Sequence, residues 1–219
     1  MISLTAAEMK ELDRAAIEDY SVPSLYLMEN AALSCVNAFL DIVPPKCTVS
    51  VFCGTGNNGG DGFAAARILN ELGFSVRCFV IGNMQNMTAD ANAMCEKLEA
   101  SGVKSEPFSK DAYDYTLHAS GIIDAIFGIG LARDVEGEYR EAIELINRAP
   151  CPVLSCDIPS GLNADTGKIS GCAVNADVTV TFTFAKPGLL SDDGKKCAGK
   201  IIIAPIGIPE ALIDKIQTL

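Results

Sequence analysis

Three carboxylates and one run of small polar residues are the groups whose types and spacing could do chemistry here. The run is Gly54-Thr55-Gly56-Asn57-Asn58-Gly59-Gly60-Asp61-Gly62. Its glycines let backbone approach a ligand closely, and free N–H groups where a helix starts can hold phosphate oxygens. Asn57 and Asn58 add neutral donors and acceptors, suited to an amide, a hydroxyl or a hard cation. The run can also be read as a tight strand-to-helix turn with Asp61 as the helix N-cap, although a turn needs no paired asparagines. Asp124 interrupts the apolar segment Gly121-Ile122-Ile123-Asp124-Ala125-Ile126-Phe127, where capping the next turn and serving a site fit equally. Asp157 follows Val153-Leu154-Ser155-Cys156 and precedes Ile158-Pro159-Ser160-Gly161. A buried strand thus delivers an ionisable group to a Pro-stiffened turn, as acid/base chemistry requires.

The residues around these motifs must position them. Thr5 with Glu8 makes a capping box for a first helix through Leu12 and Ile17, and Pro23-Ser24 opens a second running to about Leu40. After Pro44-Pro45 the rhythm changes. Residues 48–53, 75–81, 121–126 and 153–156 read as apolar strands, and residues 62–72, 88–100 and 139–148 as the helices between them. Apolar strands alternating with helices imply parallel pairing covered on both faces. The expected fold is α/β, a Rossmann-like α/β/α sandwich with a mostly parallel sheet and two extra N-terminal helices. Residues 178–184 and 200–204 read as strands that extend one sheet edge. No internal repeat or linker divides the chain, so a single domain over residues 1–219 is expected. Ligands of such sheets bind beyond the carboxyl ends of the strands, which puts the glycine run, Asp124 and Asp157 on one rim.

Composition narrows the chemistry further. A formal charge of -11 repels phosphate backbones and anionic lipid, so neither nucleic acid nor a membrane surface is an expected partner. The nine cysteines are odd in number, several sit in apolar runs and none forms Cys-x-x-Cys, which points to reduced thiols rather than disulfides or zinc. The single histidine, His118, has no Cys or His nearby in sequence. No apolar run approaches the ~18 residues of a membrane span, so a cytoplasmic location is expected. Gly54 to Gly59 formally matches G-x-G-x-x-G, but 77–83 offers no acid for a ribose and no Lys-Ser or Lys-Thr follows the glycines. A redox Rossmann enzyme and a Walker-type nucleotidase are both disfavoured.

The glycine run, Asp124-Ala125-Ile126-Phe127-Gly128-Ile129-Gly130-Leu131 and Asp157-Ile158-Pro159-Ser160-Gly161-Leu162-Asn163-Ala164-Asp165-Thr166-Gly167 resemble the signature segments of the NAD(P)H-hydrate epimerases, or YjeF N-terminal domains. Leu27-Met28-Glu29-Asn30-Ala31, Phe184-Ala185-Lys186-Pro187-Gly188 and Ile206-Gly207-Ile208-Pro209 are similar to further family segments, so the likeness covers nearly the whole chain. It implies an isomerase that equilibrates the R and S forms of hydrated NADH and NADPH. It also implies substrate contacts from Asn57, Asn58, Gly59, Gly60 and Asp61, and from the loop Gly128, Ile129, Gly130, Leu131, Ala132, Arg133 and Asp134. Asp157 is implied as the acid/base, touching substrate, and a potassium ion on Asn58, Asp124 and Ser160. Animal relatives carry a lysine where Ala132 stands, and Arg133 is its nearest substitute. A homodimer is expected by the same likeness, as is fusion to, or cooperation with, an ATP- or ADP-dependent dehydratase. The rival reading is a non-catalytic scaffold of the same fold, which would lack the site residues present here.

Overall fold

Apolar alternation at period two splits the core between two sheet faces. On β1 (Thr48–Cys53), Val49, Val51 and Cys53 pack to one side and Phe52 to the other. On β4 (Gly121–Ala125), Ile123 and Ala125 join the first side, Ile122 the second. This pattern recurs through β2 (Ser75–Val80) and β5 (Val153–Cys156). With β3 (Ser105–Pro107), β6 (Val178–Phe182) and β7 (Lys200–Ala204), the computed structural model forms one sheet, ordered β3-β2-β1-β4-β5-β6-β7 with every pairing parallel. It describes residues 2–217; Met1, Thr218 and Leu219, the ends of the expected domain, lie outside the described residues.

The first face is covered by α1 (Ala6–Glu18), α2 (Ser24–Leu40), α3 (Asn57–Glu71) and α4 (Ala89–Ala100). The second is covered by α5 (Asp111–Leu117) and α6 (Gly137–Arg148). Two further helices, α7 (Asp192–Ala198) and α8 (Glu210–Gln217), flank β7 in sequence. The expected sandwich, its two N-terminal helices and the edge strands β6 and β7 are therefore observed. Strand order runs outward from β1 in one direction and from β4 in the other. The crevice between their carboxyl ends is the switch point where such sheets bind ligands.

Two expectations need correction. The helix expected at residues 62–72 begins at Asn57, with Gly56 as N-cap, so Asp61 is a buried residue inside α3 rather than its cap. Close packing explains the early start. A Cβ on Gly59 would lie 1.9 Å from the Gly54 carbonyl oxygen, and one on Gly60 2.5 Å from Met28 Sδ. Gly62 is similarly confined, since a Cβ there would lie 2.6 Å from both Ala125 Cβ and Cys53 Sγ. The glycines that read as turn are thus helical contacts against the sheet and α2. The short elements β3, α5, α7 and α8 carry too few residues for periodicity to reveal them.

All nine cysteines are free. Among the described residues, no helix is long and apolar enough to cross a membrane.

Candidate active site

A cavity of about 490 Å³ opens at the carboxyl ends of the strands, bounded by α1, the start of α3 and the loops after β4 and β5. Strand β5 delivers Asp157 into it. The Asp157 N–H donates to the Val180 carbonyl at 2.7 Å, and the residue takes φ 65°, a left-handed conformation that costs most side chains on the order of 1–3 kcal/mol and that Asp tolerates better than most. Asp157 Oδ1 accepts from Lys186 Nζ at 2.5 Å. Lys186 is 1% exposed, and its ammonium also donates to Thr181 Oγ1 at 2.9 Å and to the Phe182 carbonyl at 3.2 Å. Three donors meet three acceptors, so the lysine is fully engaged and stands behind Asp157 rather than in the cavity wall.

Asp124 is buried and saturated. Its Oδ1 accepts from Ser160 Oγ at 2.5 Å and the Ile126 N–H at 3.3 Å, and its Oδ2 from Ser155 Oγ at 2.8 Å and the Ser160 N–H at 2.9 Å. Burial pushes this carboxyl above its ordinary value, and the bonds from Ser160, Ser155 and Ile126 oppose the rise. Ser160 Oγ in turn accepts from the Phe127 N–H at 2.8 Å. Asp124 and Ser160 thereby stitch the loop after β4 to the loop after β5 and set Phe127-Gly128 beside Asp157. A Cβ on Gly128 would lie 3.2 Å from Asp157 Oδ2 and 3.3 Å from Asn58 Cβ and Cγ, so a side chain there would crowd both groups by a few tenths of an ångström.

Asn58 is the opposite case: both its amide atoms are buried without a hydrogen-bond partner. Asn57 Oδ1 accepts from Thr88 Oγ1 at 2.7 Å, which ties the start of α3 to the cap of α4. Two more carboxyls line the cavity, Asp61 from α3 and Asp13 from α1. Burial, then the charge of Asp157, pushes Asp13 up from 3.8 to about 6, with Lys186 opposing. Burial, then Asp157 and Asp13, pushes Asp61 well above the ordinary carboxylate range, again against Lys186.

The cavity brings together Asn57, Asn58, Asp61, Gly128, Ile129, Gly130, Leu131, Arg133 and Asp157. Gly59 and Gly60 lie behind its wall, packed on Gly54 and Met28, while Ala132 and Asp134 are exposed and do not line it. The Arg133 guanidinium lies 5.9 Å from the Tyr139 ring centroid. His118 is on the surface, its Nδ1 2.7 Å from the Asp114 carbonyl. Sequence reasoning missed two residues. Lys186 stood in the family-like segment Phe184 to Gly188 with no role assigned, and Asp13 only as the neighbour of Leu12 on the apolar stripe of α1.

Other motif segments hold the frame. Glu29 accepts from Arg67 Nη2 at 2.5 Å and Lys97 Nζ at 3.0 Å, joining α2, α3 and α4. Asn30 Nδ2 donates to the Ile206 carbonyl at 2.8 Å.

Comparison with known proteins shows the family of the chain. Residues 24–188 match the family model described as YjeF-related protein N-terminus. A protein of Limosilactobacillus fermentum named NAD(P)H-hydrate epimerase is 41% identical over 92% of this chain and 95% of its own length. A bifunctional NAD(P)H-hydrate repair enzyme of Thermofilum pendens is 36% identical over 95% of this chain, which spans 40% of that protein. In fold, the crystal structure of yeast ynu0 aligns with a TM-score of 0.83 at 23% identity, covering 99% of this chain and 93% of its own. The chain belongs to the YjeF N-terminal family.

Proposed function

We propose that this protein is an NAD(P)H-hydrate epimerase, interconverting the R and S hydrates of NADH and NADPH by acid/base chemistry. Relatives about 40% identical over most of their length carry that name. The observation that carries the reading to this chain is Asp157, held at φ 65° and by buried Lys186 at the edge of a cavity that also presents the unpartnered amide of Asn58.

Hydration leaves a hydroxyl on the ring carbon next to the ring nitrogen, a hemiaminal. That carbon loses its configuration by expelling and regaining water, or by ring opening and reclosure. Either route needs a proton given and returned, which Asp157 can do at the cavity wall. Asn58 offers a donor and an acceptor to the hydroxyl or the carboxamide. Neither hydride nor phosphoryl transfer is required, in keeping with a glycine run that lacks Walker residues.

A potassium ion fits part of this site by donor chemistry. Asn58 Oδ1 is a buried oxygen in want of a partner, while Asp124 and Ser160 are hard oxygen donors already bonded to one another. Asn58, Asp124 and Ser160 would hold the ion, which would orient a hydroxyl or water when bound. The bifunctional relatives of Thermofilum pendens and Moorella thermoacetica suggest a dehydratase as the partner that consumes one epimer.

The test is to incubate purified protein with a single hydrate epimer, with neither ATP nor a hydride acceptor, and to follow the other epimer by chromatography. Appearance well above the uncatalysed rate is expected. No acceleration, with or without potassium, would return the chain to the scaffold reading.

A further inference from the structure

Asp124 and Asp13 are both carboxylates near this cavity, and the fold treats them oppositely. Asp124 receives four hydrogen bonds, the pattern of a structural group. Asp13 lines the cavity with its Oδ1 buried and unpartnered. The residue is half-buried, and a buried carboxyl oxygen without a partner costs stability, so a purely structural role does not account for it.

Its position is nevertheless tightly set. The start of α1 is pinned by the Leu4 N–H to the Ala185 carbonyl at 2.9 Å and the Ala6 N–H to Asp165 Oδ1 at 2.6 Å. Thr5 and Glu8 close the capping box, and Met9, Leu12 and Ala16 are buried beneath. One anchor is the residue before Lys186 and the other lies in the segment that begins at Asp157. The elements that place Asp157 therefore also aim Asp13 at the same space. Facing that space are Asp157 on the turn after β5, Asp61 on α3, Lys10 on its own helix, and Arg133 and Tyr139 beyond β4, while the charge of Lys186 acts from behind Asp157; Asp90 lines a smaller cavity that adjoins it.

Resting on the epimerase reading, we propose that Asp13 is a second catalytic residue, a carboxyl that exchanges a proton with the substrate in partnership with Asp157. Inversion requires the hydroxyl to leave one face of the ring carbon and an oxygen to arrive on the other. Two carboxyls from separate elements can serve the two events without either having to cross the ring. In one direction the Asp13 carboxyl gives its proton to the hydroxyl, the C–O bond breaks, and the oxygen departs as water while the ring nitrogen's lone pair completes an iminium. Water then adds to the opposite face, forming a new C–O bond, and its proton passes to the Asp157 carboxylate. One C–O bond is broken and one made, one proton leaves Asp13 and one reaches Asp157, and nothing is oxidised. The reverse direction exchanges the roles, and the open cavity lets the pair reset with solvent. Burial and the neighbouring negative charge keep Asp13 protonated to higher pH than an exposed aspartate, as a proton donor needs.

The experiment compares wild type, Asp13→Asn, Asp13→Glu and Asp157→Asn for kcat, KM, melting temperature and pH profile with a single hydrate epimer. Asp13→Asn is expected to fold with an equal or higher melting temperature and a little-changed KM. Its kcat should fall by about 10²-fold or more, with loss of the alkaline limb of the wild-type profile. Asp13→Glu should recover part of the rate. Wild-type kcat and pH profile in Asp13→Asn would overturn the assignment and leave the epimerase reading standing. A slower variant with a lowered melting temperature and an unchanged profile would assign Asp13 to structure, also against the proposal. An inactive wild type would sink both readings together.

Discussion

Lys186 Nζ donates to Asp157 Oδ1 at 2.5 Å, joining the segment beyond β6 to the turn after β5 through a pair almost closed to solvent. Removing one member of a buried pair leaves the other uncompensated and typically costs about 3–5 kcal/mol, whereas removing both costs much less. Lys186→Met is therefore expected to lower stability by that order and to slow epimerisation. Asp157→Asn alone should slow turnover by about 10²- to 10⁴-fold. The double variant should regain most of the stability and none of the activity. Urea unfolding of the four proteins measures this, and additive losses in the double variant would show that the pair is not coupled.

Asn58 and Asp124 should separate in the same assays, although both belong to the expected ion site. Asn58→Ala removes two buried amide atoms that have no partner, so little or no stability should be lost while hydrate and potassium binding weaken. Asp124→Ala strips the acceptor from four donors, and a loss of several kcal/mol is expected at about 1 kcal/mol or more for each. Calorimetric titration with potassium, alongside thermal unfolding, distinguishes the two. Equal destabilisation by both substitutions would contradict the contrast between them.

The architecture was legible because its strands are buried on both faces and read as apolar runs, and because glycine and proline mark where they stop. The rim location of Asp124 and Asp157 followed from that pattern alone. What stayed hidden depends on contacts distant in sequence. Asp61 looked like a cap because nothing local reveals that Gly54 and Met28 press on Gly59 and Gly60 and start the helix at Asn57. Lys186 lies 29 residues from Asp157, and only the parallel pairing of β5 with β6 brings them together. Asp13 sits more than a hundred residues from Asp157, on a helix whose placement depends on Ala185 and Asp165.

The glycine run offers a paired test. Gly59 has backbone 1.9 Å from where a Cβ would stand, whereas Gly56 has open space there and a φ of -89° that any residue adopts. Gly59→Ala is expected to push α3 away from Gly54, costing roughly 1–3 kcal/mol, an overpacking penalty, and displacing the adjacent Asn58 enough to reduce activity. Gly56→Ala should fold normally, with any effect confined to substrate affinity. Thermal unfolding and KM decide the matter, and a neutral Gly59→Ala would show that the contact relaxes freely.

Asp13 also makes a prediction about stability and pH. In the unfolded chain its carboxyl ionises near 3.8, and burial in the fold pushes this up to about 6. Below about pH 4 the group is protonated in both states and adds no penalty. Between the two values the folded protein binds the proton that the unfolded chain releases, so stability falls as pH rises through the folded value, and above it the full cost of a buried charge is present. A shift of this size corresponds to at most about 3 kcal/mol at roughly 1.4 kcal/mol per pKa unit, and the open cavity reduces it. Asp13→Asn removes the penalty. The variant's stability relative to wild type should therefore rise by about 1–3 kcal/mol between about pH 4 and about pH 7. Asp61, whose ionisation is displaced in the same direction, should continue the wild-type decline at higher pH, and Asp61→Asn should relieve it there. Denaturant melts across this range test both substitutions. A stability difference between Asp13→Asn and wild type that stays constant with pH would mean that the Asp13 carboxyl is solvated like any surface aspartate, and the case for it as a proton donor would go with it.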